Sequence, residues 1–326
     1  MPAAHIRLRA VALALLMASA GLAACGRSAQ APADTGQATL KVASQKGATR
    51  AIMEASHALD GAPYRVEWSE FPSAQTLLEA LNANAVDAGI VGDAPFMFAY
   101  ASGAKIKVVH VYTAGGGGSS TAILVPSGSS ITDIHQLRGR KIATGKGSIG
   151  HYLLLRVLES AGLKPSDVTI IYLAPGDAKA ALAAGSIDAW ATWNPYVALG
   201  VLHGGDRVLI NGHGLLHAIG FEAATQTAID TKQAQLDDFL KRLSAAERWE
   251  SSHQAEYAQV LAKETGLPLD VARATVASLR PIPTAMTDAV VNDERDTLNH
   301  FKAAGVIDQA PNPDGAFDTR FNDAVN

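Results

Sequence analysis

The chain contains the stretch Gly145-Lys146-Gly147-Ser148-Ile149-Gly150-His151, and the residues on its two sides predict different secondary structures. Residues 141–144 are a short apolar run typical of a strand, whereas residues 152–159 have the composition of a helix. The glycines between them indicate a strand-to-helix turn, with Ser148 as a favoured N-cap. A helix start has N–H groups without internal partners and carries partial positive charge. The stretch therefore predicts an anion site at a helix N-terminus.

Other interpretations of the same glycines remain open at this point. Gly145, Gly147 and Gly150 spell G-x-G-x-x-G, the pattern of a dinucleotide-binding turn. That pattern also needs an acidic residue about 20 positions later, at the tip of the next strand. The next predicted strand, 168–173, instead runs into Ala174-Pro175. The spacing of a phosphate P-loop is missing, and a glycine-rich turn that binds no ligand is the remaining alternative.

The N-terminus has the pattern of an export signal. Arg7 and Arg9 precede an apolar run, 10–20, that is too short to span a bilayer. Leu22-Ala23-Ala24-Cys25 follows, which resembles the end of a bacterial lipoprotein signal and predicts a lipid on Cys25 after removal of residues 1–24. An ordinary secretory signal is the alternative. Cys25 is the single cysteine of the chain, which excludes a disulfide framework and a cysteine-based metal site.

The region after Cys25 divides into a tether and a folded body. Residues 25–38 are small and polar and predict a flexible tether, so the body starts near Thr39. Without residues 1–24 the chain has 25 basic and 31 acidic residues, which argues against a nucleic-acid or anionic-membrane surface. The body contains no apolar run of about 18 residues, so no membrane span is predicted. Its roughly 290 residues exceed one ordinary core and predict two lobes.

Strand and helix patterns alternate through the body, which predicts an α/β fold of parallel sheets covered by helices. We expect one lobe from residues 39–125 and 222–326 and a second from residues 126–221, with the C-terminal part helical. The chain then crosses twice between lobes and leaves a cleft at the C-terminal ends of the strands, where ligands bind. Gly115–Ser120 is interpreted as a flexible rim loop, and a close backbone approach to a ligand is the alternative.

Stretches at predicted strand ends carry a family resemblance. They are a Gln-Lys-Gly turn, V-G-D-x-P, K-G-S-x-x-H-Y-L-L and D-A-W-x-x-W-[DN]-P-[YF], at Ser44–Gly47, Val91–Pro95, Lys146–Leu154 and Asp188–Tyr196. In this order they resemble the solute-binding proteins of ABC importers for aliphatic sulfonates. The resemblance covers about residues 41–225 and implies a periplasmic-binding-protein type II fold. The wider group includes binders of taurine, nitrate and pyrimidine precursors, and Asn194 stands where sulfonate binders usually have Asp.

The resemblance also implies a function and a binding site. The protein would be a periplasmic, lipid-anchored monomer that delivers a small organic anion to an ABC permease for sulfur uptake, without a cofactor or a metal. The N–H groups around Gly147 and Ser148 would hold the sulfonate, whose three acceptor oxygens suit neutral donors in a dry cleft. The complete set of implied ligand-binding residues is Gln45, Gly92, Asp93, Gly147, Ser148, His151, Trp190 and Trp193.

Structural roles are open for several of these residues. Instead of binding the ligand, Gln45 could close a turn, and Asp93 could cap the N-terminus of a helix. His151 is also interpretable as a packed histidine, and Trp190 as a core residue rather than an apolar wall for the carbon tail of the ligand. Trp193, at the end of its predicted strand, is expected to line the cleft.

An exported hydrolase acting on an anionic ester is the alternative from another functional class, with Ser148 or His151 as the catalytic group. The spacing does not favour it, because Gly147 stands one residue before Ser148, whereas the nucleophile elbow G-x-S-x-G needs a glycine two residues before. No H-E-x-x-H pattern occurs. His213 and His217 are four apart, but the segment does not have a helical pattern, so no metal site is predicted.

Overall fold

The computed structural model describes residues 37–46 and 48–325, which belong to one compact unit. The predicted signal peptide, Cys25, most of the predicted tether and Gly47 lie outside the described residues, so the predictions made for them stay predictions. Within the described part of the chain, no helix has the length and apolar character needed to cross a membrane.

The described residues form eleven strands and ten α-helices. The strands are β1 (Thr39–Gln45), β2 (Arg65–Phe71), β3 (Ala88–Gly92), β4 (Ile106–Ala114), β5 (Thr121–Pro126), β6 (Lys141–Thr144), β7 (Thr169–Tyr172), β8 (Ala189–Trp193), β9 (Asp206–Asn211), β10 (Ile219–Thr225) and β11 (Pro281–Thr284). The helices are α1 (Ala48–Ala55), α2 (Ala74–Asn82), α3 (Asp93–Ala101), α4 (Ile149–Ser160), α5 (Pro175–Ala183), α6 (Tyr196–His203), α7 (Gln226–Thr231), α8 (Gln233–Thr265), α9 (Leu269–Leu279) and α10 (Asp288–Ala303).

The strands make two sheets, one in each lobe. The first has the order β11-β4-β10-β3-β1-β2 and the second β7-β6-β8-β5-β9. The parallel pairing predicted from the alternating pattern holds for β1 with β2 and β3, and for β6 with β7 and β8. However, β5 and β10 pair antiparallel with their neighbours, so both sheets are mixed. Each of these two strands enters its sheet directly from the other lobe, without the helical crossover that a parallel connection needs.

The chain crosses between the sheets at residues 115–120 and 212–218, and the first crossing precedes the one expected near Val125. The reason is that β5 pairs with β8 and β9 and thus belongs to the second sheet. The glycine run forms this crossing and packs closely against protein backbone. A Cβ on Gly116 would stand 1.8 Å from the Ser278 carbonyl oxygen, and one on Gly118 would stand 2.7 Å from that of Gly212. This close packing argues against the interpretation of the run as a flexible rim loop.

Each lobe has its own apolar core, and a smaller cluster joins the two. Helix α2 buries Leu77, Leu78 and Leu81 against the first sheet, and these leucines are spaced as on one face of a helix. The joining cluster packs side chains of α3, α4 and α10 together, namely Ala94, Tyr152, Leu155 and Phe301. The long α8 has non-helical backbone angles at His253, where its two parts meet at a kink.

Candidate functional site

A cavity of about 180 Å³ lies between the lobes. Its wall includes the ends of β1, β3 and β8 and both crossings, which is the position expected for ligands of open α/β sheets. The described cavity residues come from both lobes, so the cavity exists only when the two sheets lie in this arrangement.

Five helices begin at this cavity. The residues that start or cap α1, α2, α3, α4 and α6 all line it, and they are Ala48, Ala74, Asp93, Ile149 and Pro195. A helix N-terminus presents unpaired N–H groups and about half a positive charge. Five of them around one small cavity produce a positive potential that favours an anion.

The glycine turn adopts the predicted strand-to-helix form, with details that the sequence does not reveal. Ser148 caps α4 by accepting a hydrogen bond from the His151 backbone N–H at 3.1 Å. The Gly147 N–H donates to His151 Nδ1 at 3.1 Å, and the Ser148 N–H donates to the Gly145 carbonyl oxygen at 3.0 Å. Both N–H groups expected to hold the anion are therefore paired inside the turn in this structure.

The next N–H groups of α4 differ in this respect. Ile149 and Gly150 are the first two residues of the helix, so their N–H groups have no partner four residues earlier within it. Ile149 and Ser148 line the cavity, whereas Gly147 lies beside it against Phe98. The geometry thus moves the candidate anion donor from Gly147 and Ser148 to Ile149, which starts the helix and lines the cavity.

His151 supports the turn from inside the lobe. Its side chain is buried, and Nδ1 accepts from Gly147, so the ring hydrogen is on Nε2, which lies 3.4 Å from the Tyr172 hydroxyl oxygen. Burial, with a smaller contribution from the charge of Lys146, lowers the pKa of His151 to about 4. The imidazole is therefore neutral near pH 7. It does not line the cavity, which agrees with the packed-histidine interpretation.

The opposite side of the cavity contains Gln45, Gly92 and Asp93, all three of which line it. Gln45 Nε2 donates to the Ile90 carbonyl oxygen at 3.0 Å, and Gly92 is the N-cap of α3. Asp93 is 1% exposed, and its Oδ1 accepts from the Ala94 N–H at 2.6 Å. Its Oδ2 has no hydrogen-bond partner. Asp93 therefore occupies the helix start and the cavity wall at once.

The two tryptophans of β8 have different surroundings. Trp193, the last residue of the strand, lines the cavity and meets the edge of the Tyr196 ring with centroids 5.8 Å apart. Trp190 is 2% exposed and packs in the second lobe with Ala178 and Leu182 of α5, away from the cavity. Trp190 thus has the core environment that was the alternative for it, because α5 covers the middle of β8.

Several cavity residues lie outside the motifs. Tyr112 is near the end of β4, and Leu261, Leu267 and Leu279 of the α8–α9 region add apolar side chains to the cavity wall. These leucines are more than 100 residues from the glycine turn. No local pattern distinguishes them from other helical leucines, so only the fold assigns them to the site.

Contacts across the cleft join the lobes around the cavity. Tyr196 donates to the Pro72 carbonyl oxygen at 2.9 Å, and Asn194 Nδ2 donates to Ser278 Oγ at 2.6 Å. Lys46 Nζ lies 5.8 Å from the centroid of the Tyr196 ring, a cation–π distance. The structure is therefore a closed form, and Asn194 contributes to closure through a neutral hydrogen bond where an aspartate would add negative charge.

Comparisons with known proteins agree with this architecture. A family model, the NMT1-like family, matches residues 33–265. A protein of Escherichia coli (strain K12), named as an aliphatic sulfonates-binding protein, is 37% identical over 258 residues, which are 78% of this chain and 80% of that protein. The alkanesulfonate-binding protein SsuA from Xanthomonas axonopodis pv. citri, solved bound to MOPS, has a TM-score of 0.81 and 32% identity over 87% of this chain and 99% of that one.

A second solved structure gives the same result. The periplasmic aliphatic sulphonate binding protein SsuA from Escherichia coli has a TM-score of 0.76 and 31% identity, covering 86% of this chain and 97% of that one. The predicted resemblance and the periplasmic-binding-protein fold are thereby confirmed. The chain belongs to the NMT1-like family and is a relative of the periplasmic aliphatic sulfonate-binding proteins.

Proposed function

We propose that this protein is the solute-binding component of an ABC importer, that it binds an aliphatic sulfonate between its lobes and that it delivers the sulfonate to a membrane permease for sulfur uptake. The observation that carries the proposal is the meeting of five helix N-termini at one cavity between the lobes. Such an arrangement stabilises an anion with N–H groups and dipoles in place of a paired cation. The names of the relatives support a sulfonate as that anion.

The apolar side chains of the cavity wall support a ligand with a carbon tail. Leu261, Leu267 and Leu279 line the cavity, and none of these three side chains can hydrogen-bond an oxyanion. Trp193 adds an aromatic ring whose single polar group is the indole N–H. A nitrate has no carbon group that could contact these apolar side chains. The volume of about 180 Å³ is below the roughly 300–1,000 Å³ of drug-sized sites, so the tail is short.

The proposal includes a lipid anchor. Cys25 follows Leu22-Ala23-Ala24 at the end of an apolar signal-like segment, and the polar residues after it would link a lipidated Cys25 to the folded body. The protein would then be a periplasmic monomer held at the membrane next to its permease. Intact-mass measurement of the membrane-extracted protein should give a chain starting at Cys25 with acyl groups; a chain starting elsewhere would contradict the anchor.

Calorimetric titration tests the ligand. Methanesulfonate, ethanesulfonate, pentanesulfonate, taurine and nitrate form the panel, and ethyl methyl sulfone serves as the uncharged control for ethanesulfonate. We expect one sulfonate per chain, no binding of the sulfone, and stabilisation of about 2.7 kcal/mol at 100 times the dissociation constant. The ligand should be recovered unchanged. Binding of none of the sulfonates, or conversion of a sulfate or phosphate ester into products, would refute the proposal.

A further inference from the structure

The carboxyl group of Asp93 is an unusual component for an anion site. Asp93 lines the cavity at the start of α3, is 1% exposed, and forms no ion pair among the described residues. One of its oxygens, Oδ1, accepts a hydrogen bond from the Ala94 N–H, whereas Oδ2 is buried without a hydrogen-bond partner. A buried carboxylate oxygen without a donor is costly, so the group needs either a proton or a ligand there.

The neighbours of Asp93 add negative charge. From α10, Asp293 and Glu294 act on it, and both Glu294 carboxyl oxygens are also buried without partners. Nδ1 of His217, a residue of the second crossing, lies 3.5 Å from Oδ1 of Asp293. The other titratable groups that face Asp93 are Tyr112 from β4 and Tyr152 from α4, and Lys46 lies on the cavity wall. Burial, followed by the charge of Asp293, raises the pKa of Asp93 to about 7, although its backbone hydrogen bonds act in the opposite direction.

An ionised Asp93 and an anionic ligand would be two like charges in one closed cavity. Their repulsion would be strong, because a closed cavity screens two like charges much less than bulk water does. A neutral Asp93 would instead place an O–H donor at a site where the ligand has acceptors, and a hydrogen bond to an ionised acceptor is among the strong ones. The cavity and its orphaned oxygen therefore favour the protonated form when an anion is bound.

We propose that Asp93 binds the ligand anion as the neutral carboxylic acid, donating its Oδ2 hydrogen, so that ligand binding takes up a proton. No bond other than the O–H···O hydrogen bond forms, and the proton comes from solvent or buffer. This inference rests on the proposed function, since it needs an anion in the cavity. It also defines the ligand class: anions without an ammonium group, because an ammonium group near Asp93 would stabilise the carboxylate instead.

Calorimetry at pH 8 in two buffers of different ionisation enthalpy measures the proton uptake directly. At pH 8 most of the free protein has an ionised Asp93, so ethanesulfonate should take up close to one proton per chain. The dissociation constant should rise about tenfold per pH unit above pH 7 and level off below it. Taurine should bind more weakly than ethanesulfonate throughout. Binding at pH 8 without proton uptake, or a preference for taurine that grows with pH, would overturn the inference.

Two variants test whether Asp93 is the group that takes up the proton. Asp93→Asn keeps the shape and an N–H donor but cannot titrate, so its ethanesulfonate binding should be independent of pH and free of proton uptake. Glu294→Gln is the matched control, since it removes the other buried carboxyl and should retain the uptake of the parent. Uptake that survives in Asp93→Asn, or is lost in Glu294→Gln alone, would overturn the assignment. Failure of every sulfonate to bind at any pH would instead refute the proposed function itself.

Discussion

The close contact between Gly147 and Phe98 leads to a quantitative prediction. Gly147 has φ of +71°, and a Cβ built on it would stand 2.3 Å from Cδ1 of the Phe98 ring. Phe98 belongs to α3 of the first lobe, whereas the glycine turn belongs to the second, so this contact sets how closely the lobes meet. Gly147→Ala therefore introduces two separable penalties: a left-handed backbone conformation for a residue with Cβ, and overpacking between the lobes.

The two penalties have known sizes. The left-handed conformation costs about 1–2 kcal/mol for a residue with Cβ, and overpacking costs about 1–3 kcal/mol. We expect Gly147→Ala to lower the free energy of unfolding by about 2–5 kcal/mol. Gly162, just after the C-terminal end of α4, is the matched control for Gly147. It also has a positive φ, +65°, but no atom lies within 4 Å of a Cβ built on it. Gly162→Ala should therefore cost about 1–2 kcal/mol, the backbone part alone.

Urea denaturation of the two variants, with an unchanged m-value, measures both penalties. A double-mutant cycle with Phe98→Ala isolates the contact: in that background Gly147→Ala should cost no more than Gly162→Ala does, because the ring it meets is gone. The reasoning is refuted if Gly147→Ala and Gly162→Ala have equal cost in the parent protein. It is also refuted if the cost of Gly147→Ala is the same with and without the Phe98 ring.

Three further predictions concern other parts of the site and the fold. Trp193→Ala should weaken pentanesulfonate binding by about tenfold and methanesulfonate binding much less, because it removes apolar wall only; calorimetry giving an equal loss for both would contradict the tail position. His151 is neutral when folded, with a pKa of about 4, and binds a proton near pH 6.5 when unfolded, so its contribution to stability falls as the pH drops from 6.5 to 4. When the pH falls from 7 to 4.5, the free energy of unfolding of the parent protein, measured by urea denaturation, should therefore decrease by about 2–3 kcal/mol more than that of His151→Gln. Equal decreases in the two proteins would be evidence against a buried neutral imidazole. Glu222 is fully buried, and both of its carboxyl oxygens lack hydrogen-bond partners. Burial, with the charge of the nearby Glu247, raises the pKa of Glu222. The folded state therefore keeps a proton on Glu222 that the unfolded state releases above pH 4.5. Glu222→Gln should therefore raise the free energy of unfolding at pH 8 and do so much less at pH 4. A loss of stability at pH 8 would indicate an unrecognised partner for this carboxyl group.

The glycine turn illustrates how far local sequence reaches. Its composition predicts a strand, a tight turn and a helix capped by Ser148, and the structure has all three. Which N–H groups remain available for an anion depends on where the His151 ring points. That ring is oriented by its burial and by Tyr172, which stands 21 residues later on a neighbouring strand. The Gly147 and Ser148 N–H groups are therefore paired inside the predicted turn, whereas the N–H of Ile149, at the start of the helix, has no partner within that helix.

The sequence by itself determined the order of strands and helices, the two-lobed α/β class and the family, because periodicity, caps and glycine turns depend on residues that are close along the chain. Only the tertiary structure decided that β5 and β10 run antiparallel, that Trp190 is covered by α5, and that leucines of the α8–α9 region complete the cavity. Each of these features depends on which surfaces meet after the chain has crossed between lobes. Contacts of that kind are selected by packing and burial over the whole molecule, and they leave no local pattern.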